Sequence, residues 1–178
     1  MRYRELGLEG AFVISLDPIA DNRGFFARQW DAREFSEHGL DPTVVQCNVS
    51  FNLKRGTVRG MHFQRPPHEE VKLVRCTRGS VFDVVVDLRS GSPTRLRWEG
   101  VELSADNRLM LYVPRGFAHG YQTLEDESEV SYQVSEFYHP ESEGALLWND
   151  PAVGIAWPLT EVTVSEKDSR AAPLSTRE

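Results

Sequence analysis

The chain has 178 residues, 40% apolar and 26% charged, a length and mix that fit one globular domain, here 1–178, able to bury a core without staples. A formal net charge of -7 excludes charge-driven nucleic-acid binding but leaves room for a local basic pocket. Two cysteines, Cys47 and Cys76, form no disulfide framework, no signal peptide opens the chain, and no run approaches the ~20 apolar residues of a membrane helix, so a cytoplasmic protein without membrane or nucleic-acid partners is expected. In chain order, residues 11–16 form a short apolar run stopped by Asp17-Pro18. Asp31 with Glu34 three residues on has the spacing of a capping box, and opens a helix that Gly39 is placed to end. Residues 72–76 run into the turn signal Arg78-Gly79, and the β-branched stretch 81–88 is interrupted by Asp83 and Asp87 before stopping at 90–93. Residues 95–103 alternate, 109–113 stop at Pro114, and 129–135 alternate cleanly. Beyond about Val162 the strand pattern is lost, and 169–178 reads as a loose tail. Short strands separated by Gly and Pro predict an all-β sandwich or barrel with a few short helices.

Polar residues inside strand-like segments carry the chemical information. They fall in four places: Arg59-Gly60-Met61-His62-Phe63-Gln64; Pro114-Arg115-Gly116-Phe117-Ala118-His119-Gly120; Tyr132 in its alternating strand; and Ser165-Glu166-Lys167-Asp168. The second resembles the second signature of the cupin barrels, so the expected architecture is a cupin or jelly-roll β-barrel. Many cupins hold a metal through two His and a Glu of a first signature plus the His of the second. Aligning Gly79 with the glycine seven positions after that Glu places Lys72 at the Glu and Pro66 and His68 at the two His. An ammonium cannot replace a carboxylate ligand and proline offers no donor atom. The pattern reads as a dismantled metal site in which a cation stands where the metal would be.

Taken together, Asp21-Asn-Arg23-Gly24-Phe-Phe26, Gln46-Cys-Asn48-Val-Ser50, Arg59-Gly60-Met-His62-Phe-Gln64, Lys72-Leu-Val-Arg75, Asp83-Val-Val-Val-Asp87-Leu-Arg89, Ser92-Pro93-Thr94, Pro114-x-Gly116-Phe-Ala-His119-Gly120 and Trp148-Asn-Asp150-Pro151 resemble the dTDP-4-dehydrorhamnose 3,5-epimerase family from about Gly10 to Asp168. The resemblance implies a homodimer of jelly-roll subunits, no metal and no cofactor, and a nucleoside-diphosphate 4-keto-6-deoxy sugar as substrate. By position it implies His62 as general base, Asp168 holding its ring, Tyr132 as acid on the opposite face of the sugar, and Lys72 steadying the enolate oxygen. Arg23, Phe26, Arg28, Gln46, Asn48, Arg59, His119 and Tyr138 would bind the substrate, His119 at the sugar. The residue types suit that chemistry, since a ketone acidifies the neighbouring C–H groups and a histidine near neutrality is an apt base.

Each residue also has a plainer reading. His62 could be a core histidine, Tyr132 a packing residue of an alternating strand, Asp168 a surface residue, Lys72 a solvated strand end, and Arg23 part of a turn. Asp83 and Asp87 read as structural partners of buried arginines. Three positions depart from the usual family pattern: Arg28 for Glu, Cys47 for an acidic residue, and Glu70 for Gln. Arg28 for Glu points to an altered or looser nucleotide preference. The alternatives are an epimerase inverting only C3 or C5, and a non-catalytic cupin that binds a sugar nucleotide. A binding module has no need of His62, Tyr132 and Asp168 together.

Overall fold

The computed structural model describes residues 1–174. Its elements run β1 (Arg2–Glu5), β2 (Phe12–Ser15), β3 (Ile19–Asp21), β4 (Gly24–Phe26), α1 (Ala32–Glu37), β5 (Gln46–Asn52), β6 (Thr57–Gln64), β7 (Lys72–Arg78) and β8 (Ser80–Asp87). They continue with β9 (Trp98–Ser104), β10 (Met110–Val113), β11 (Phe117–Thr123), β12 (Ser128–Val134), β13 (Glu143–Ala145), β14 (Thr163–Val164) and α2 (Glu166–Ser169). One sheet has the order β1-β2-β10-β7-β12-β5; the other is β13-β6-β11-β8-β9, with β14 added in parallel to β6. β3 and β4 form a separate hairpin. This is the expected all-β jelly roll with two short helices.

Alternation explains how the layers stack. Val13, Val74, Cys76, Leu111 and Val130 of the first sheet meet Val81, Val85, Leu103, Phe117 and Tyr121 of the second in one buried cluster. The opposite face of the first sheet is also apolar, with Ile14, Leu73, Met110 and Tyr112 packed on Phe35 of α1. The opposite face of the second sheet carries Met61, Val84, Val86 and Ala118, covered by the C-terminal chain through Ile155, Trp157 and Leu174.

α1 begins as the sequence predicts: the Asp31 carboxylate accepts from the backbone N–H groups of Arg33 and Glu34. The reciprocal half of the capping box is absent, because Glu34 accepts instead from the Met1 ammonium at 2.6 Å. Gly39, at φ 72°, closes the helix, with Leu40 N–H donating to Phe35 O and Gly39 N–H to Ser36 O. That is a Schellman arrangement, whose left-handed residue favours glycine. Of the chain end expected to be loose, Ser169 closes α2 and the Leu174 N–H donates to Asp150 Oδ2 at 2.7 Å. The remaining four residues of that segment lie outside the described residues.

Candidate active site

Two strands bring the principal polar residues together. β11 pairs with β6 so that His119 stands opposite His62, and a bulge follows before Tyr121 meets Arg59. The strands approach closely there: a Cβ on Gly60, whose φ is 134°, would lie 2.6 Å from the Cα of Gly120. Both motif glycines therefore answer to packing and backbone conformation at the site. On the first sheet, β12 pairs Tyr132 with Asn48 of β5 and Val74 of β7, while Val134 pairs with Gln46 and Lys72. Period-two alternation then places Gln46, Asn48, Lys72 and Tyr132 on one face.

That face and β6 enclose a cavity of about 360 Å³ lined by Gln46, Asn48, His62, Lys72, Tyr132 and Tyr138, with Gln64, Glu70 and Glu143 at its walls. An adjoining recess of about 150 Å³ adds Arg59, His119, Ser50 and Tyr121, and shares His62, Lys72 and Tyr132. The main space is of the size that holds small ligands.

His62 Nε2 lies 2.7 Å from Asp168 Oδ1. The second carboxylate oxygen accepts from Gly60 N–H at 3.3 Å, and Ser165 caps α2 by accepting from Asp168 N–H. Burial alone would raise the Asp168 carboxyl, but hydrogen bonds from His62, Gly60 and Ser165 and the nearby imidazole charge outweigh it and hold it below its usual value. A carboxylate only accepts, so the proton in this contact sits on Nε2, and the ring nitrogen left for proton transfer is Nδ1. Tyr132 is pushed the other way: burial, then the Glu70 carboxylate, raise its phenol, opposed by Arg59. The cavity thus pairs an oriented imidazole on one sheet with a phenol that keeps its proton on the other.

Lys72 is 9% exposed, and its Nζ lies 3.1 Å from Glu70 Oε1. It shares the recess with His119, whose Nε2 is 2.7 Å from Asp83 Oδ1. Asp83 therefore partners a histidine, not the buried arginine expected. Asp87 does hold Arg89, at 2.8 Å, and also accepts from Ser92 and Thr94. His68 does not line this recess and stacks on His139. With an ammonium at Lys72 and a proline at position 66, the residues present do not fit a cupin metal centre.

Three expected binding residues stand outside the cavity of this chain. Arg23 pairs with Asp21 at 2.6 Å in the β3–β4 hairpin, and Phe26 beside it is 64% exposed. Arg28 is exposed and faces Asp31 at 3.7 Å. Among the described residues, Arg28 is not one of those that line the cavity. Sequence reading passed over Glu143 and gave Gln64 no role beyond its place in the first polar cluster. Glu143 accepts from Lys167 at 2.5 Å and from the Tyr138 hydroxyl at 3.2 Å. In the sequence it looks like one more acid in the turn Pro140-Glu-Ser-Glu, and only the β13–β6 pairing turns it inward.

Comparison with known proteins gives the family of the chain. The dTDP-4-dehydrorhamnose 3,5-epimerase family profile matches residues 5–176. The dTDP-4-dehydrorhamnose 3,5-epimerase of Methanothermobacter thermautotrophicus is 44% identical over 97% of this chain and 94% of its own length. The crystal structure of the enzyme of that name from Elizabethkingia anophelis NUHP1 superposes with a TM-score of 0.96 at 39% identity, covering 99% of this chain and 98% of that one. A 3'-monoepimerase from Streptomyces bikiniensis, solved with dTDP-quinovose, superposes with a TM-score of 0.88 at 36% identity, covering 96% and 87%. An oriented histidine, a proton-bearing tyrosine and a lysine around one cavity thus occur in a chain that belongs to the dTDP-4-dehydrorhamnose 3,5-epimerase family.

Proposed function

We propose that this carbohydrate epimerase acts on a dTDP-linked 4-keto-6-deoxy hexose, with His62 as the base and Tyr132 as the acid. His62 Nδ1 removes a proton from carbon next to the C4 ketone, and the electron pair moves onto the ketone oxygen as an enolate. Lys72 lies at the same cavity and stabilises that oxygen, a role worth roughly 3 kcal/mol in comparable oxyanion sites. Asp168 stabilises the imidazolium that forms. Tyr132 delivers a proton from the opposite face, which inverts the centre. The observation that carries this reading is the placement of His62 and Tyr132 on different sheets facing one cavity.

The site residues outside the cavity favour a homodimer. Phe26, Ile19 and Phe25 of the hairpin, and Val49 and Phe51 on the outward face of the edge strand β5, are exposed. Such apolar groups on a strand at a sheet edge suit pairing with a second subunit. In that assembly Arg23, Phe26 and Arg28 contribute to nucleotide binding from the neighbouring chain. The free thiols Cys47 and Cys76 accord with a cytoplasmic setting.

Incubation with a dTDP-4-keto-6-deoxy sugar in deuterated water tests the roles and counts the centres. Wild type should incorporate deuterium with inversion at C3, C5 or both. His62→Asn should lose exchange by roughly two to four orders of magnitude while dTDP binding stays nearly intact. Tyr132→Phe should keep exchange but return the proton to the original face. Unchanged exchange in His62→Asn, or unchanged inversion in Tyr132→Phe, would assign the chemistry to other groups.

A further inference from the structure

We infer that His68, His139 and Glu136 form a divalent transition-metal site on the turns that flank Tyr138 and Gln64 of the cavity wall, separate from the groups that move protons. The donor atoms of the three side chains lie within 4.8 Å of one another, and all three residues are half-buried. Two imidazoles and a carboxylate are the donors that zinc, cobalt and nickel take.

Three features prepare the cluster. His139 Nδ1 lies 3.1 Å from Glu141 Oε1, so its N–H donates there and the lone pair stays on Nε2. A carboxylate on the far nitrogen is the arrangement that orients metal-bound histidines. That free Nε2 is 3.9 Å from Glu136 Oε1, beyond hydrogen-bonding distance. Donors around a common ion with bonds of about 2.0–2.2 Å sit roughly 3–3.5 Å apart, so this gap needs to close by about half to one ångström. Lastly, both loops are already fixed by the buried Gln64. Its amide donates to His68 O at 2.9 Å and Phe137 O at 3.0 Å, and its Oε1 accepts from His139 N–H at 2.6 Å. Ion binding therefore does not have to order the backbone that carries the ligands.

The His68 and His139 rings are stacked, with centroids 3.5 Å apart and planes 11° apart. Each nitrogen lone pair lies in its own ring plane, so one ring must turn about its Cβ–Cγ bond to share an ion with the other. That torsion is broad and soft for histidine. This is not the cupin centre: His68 occupies a first-signature position in sequence, but its partners are Glu136 and His139, while His119 is held by Asp83. An ion here would tie the 65–70 turn to the 136–141 turn and so fix Tyr138, which lines the cavity between Phe137 and His139.

Titration of chelator-treated full-length protein with Co²⁺, followed by visible d–d absorption, tests the assignment. Wild type should take up one equivalent and develop bands of a nitrogen- and oxygen-ligated ion. His68→Ala and His139→Ala should each lose the bands, and Glu141→Ala should weaken uptake by about tenfold or more through loss of ring orientation. His119→Asn should retain the bands, because the cupin position is not the one occupied. Circular dichroism of each variant separates ligand loss from unfolding. Absence of one-equivalent uptake, or uptake that survives His139→Ala in a folded variant, would overturn the site. Deuterium exchange should proceed at the same rate in chelator-treated and Co²⁺-loaded protein; dependence of exchange on the metal would overturn its separation from the proton-transfer groups.

Discussion

Glu70, which the sequence reading sets against the family's usual Gln, lines the cavity itself. Its carboxylate holds Lys72 at 3.1 Å and adds to the burial that raises Tyr132. The other charged or titratable groups around these two cavity regions are Arg59, His62, His119, Tyr121, Tyr138 and Glu143, and all of them remain in Glu70→Gln. Removing only the negative charge lowers the Tyr132 value, since an anion favours the protonated phenol. Tyr132 must be protonated to act as acid, so activity falls as pH rises through its value. The basic limb of the kcat profile should therefore move to lower pH in Glu70→Gln; superimposable profiles would remove Glu70 from this role. Asp87 gives a second pH prediction. Burial would raise its carboxyl, but hydrogen bonds from Arg89, Ser92 and Thr94 bring it far below the usual carboxylate range. A folded-state value below the unfolded one contributes stability above the ordinary carboxylate value, and that contribution is lost as pH falls through the depressed value. Asp87→Asn should cost about 3 kcal/mol at neutral pH, with the difference from wild type shrinking in acid, as read from urea unfolding across pH.

The short helix α1 shows how an element depends on what it packs against. Six residues are too few to form a stable helix in water on their own. Its cap at Asp31 is worth about 1 kcal/mol. Phe35, 1% exposed between Tyr3, Trp30 and Tyr112, is worth about 3–5 kcal/mol if truncated to alanine. Packing therefore outweighs capping. Phe35→Ala should lower unfolding free energy several times more than Asp31→Ala; equal losses would mean that the cap, not the aromatic cluster, holds the helix. The edge strand β5 makes the same point in another way. β5 turns Gln46, Asn48 and Ser50 toward the cavity and leaves Val49 and Phe51 exposed, the reverse of an ordinary surface strand. Its alternation is a strand's, but its polarity is inverted by the site, so hydrophobic patterning alone did not reveal it.

At the level of the molecule, two sheets supply opposing walls, and the exposed apolar edge is the surface on which the proposed homodimer rests. Val49→Lys with Phe51→Glu, both on the outward face of β5, should shift sedimentation from dimer to monomer. If the hairpin serves the neighbouring cavity, the monomer should also bind dTDP more weakly although its own His62, Lys72 and Tyr132 are untouched. A wild-type chain that sediments as a monomer at working concentration would overturn the homodimer.

The sequence by itself determined the β class, the extent of α1, most strands whose alternation faces a conventional core, and the identity of His62, Lys72, Tyr132 and Asp168 as candidates. The class, the helix and the strands rest on local periodicity and capping chemistry, which act over a few residues, and the four candidates rest on the family resemblance that their motifs carry. Tertiary structure alone decided the contacts between them. His62 and Asp168 are 106 positions apart and meet at 2.7 Å only because the chain after β14 runs along β6 into α2. Asp83 found His119 because β8 and β11 are neighbours, Glu143 entered the cavity through β13, and Arg28 was left facing Asp31. Strand order and loop closure fix such distances, and neither is written in the spacing of residues along one strand.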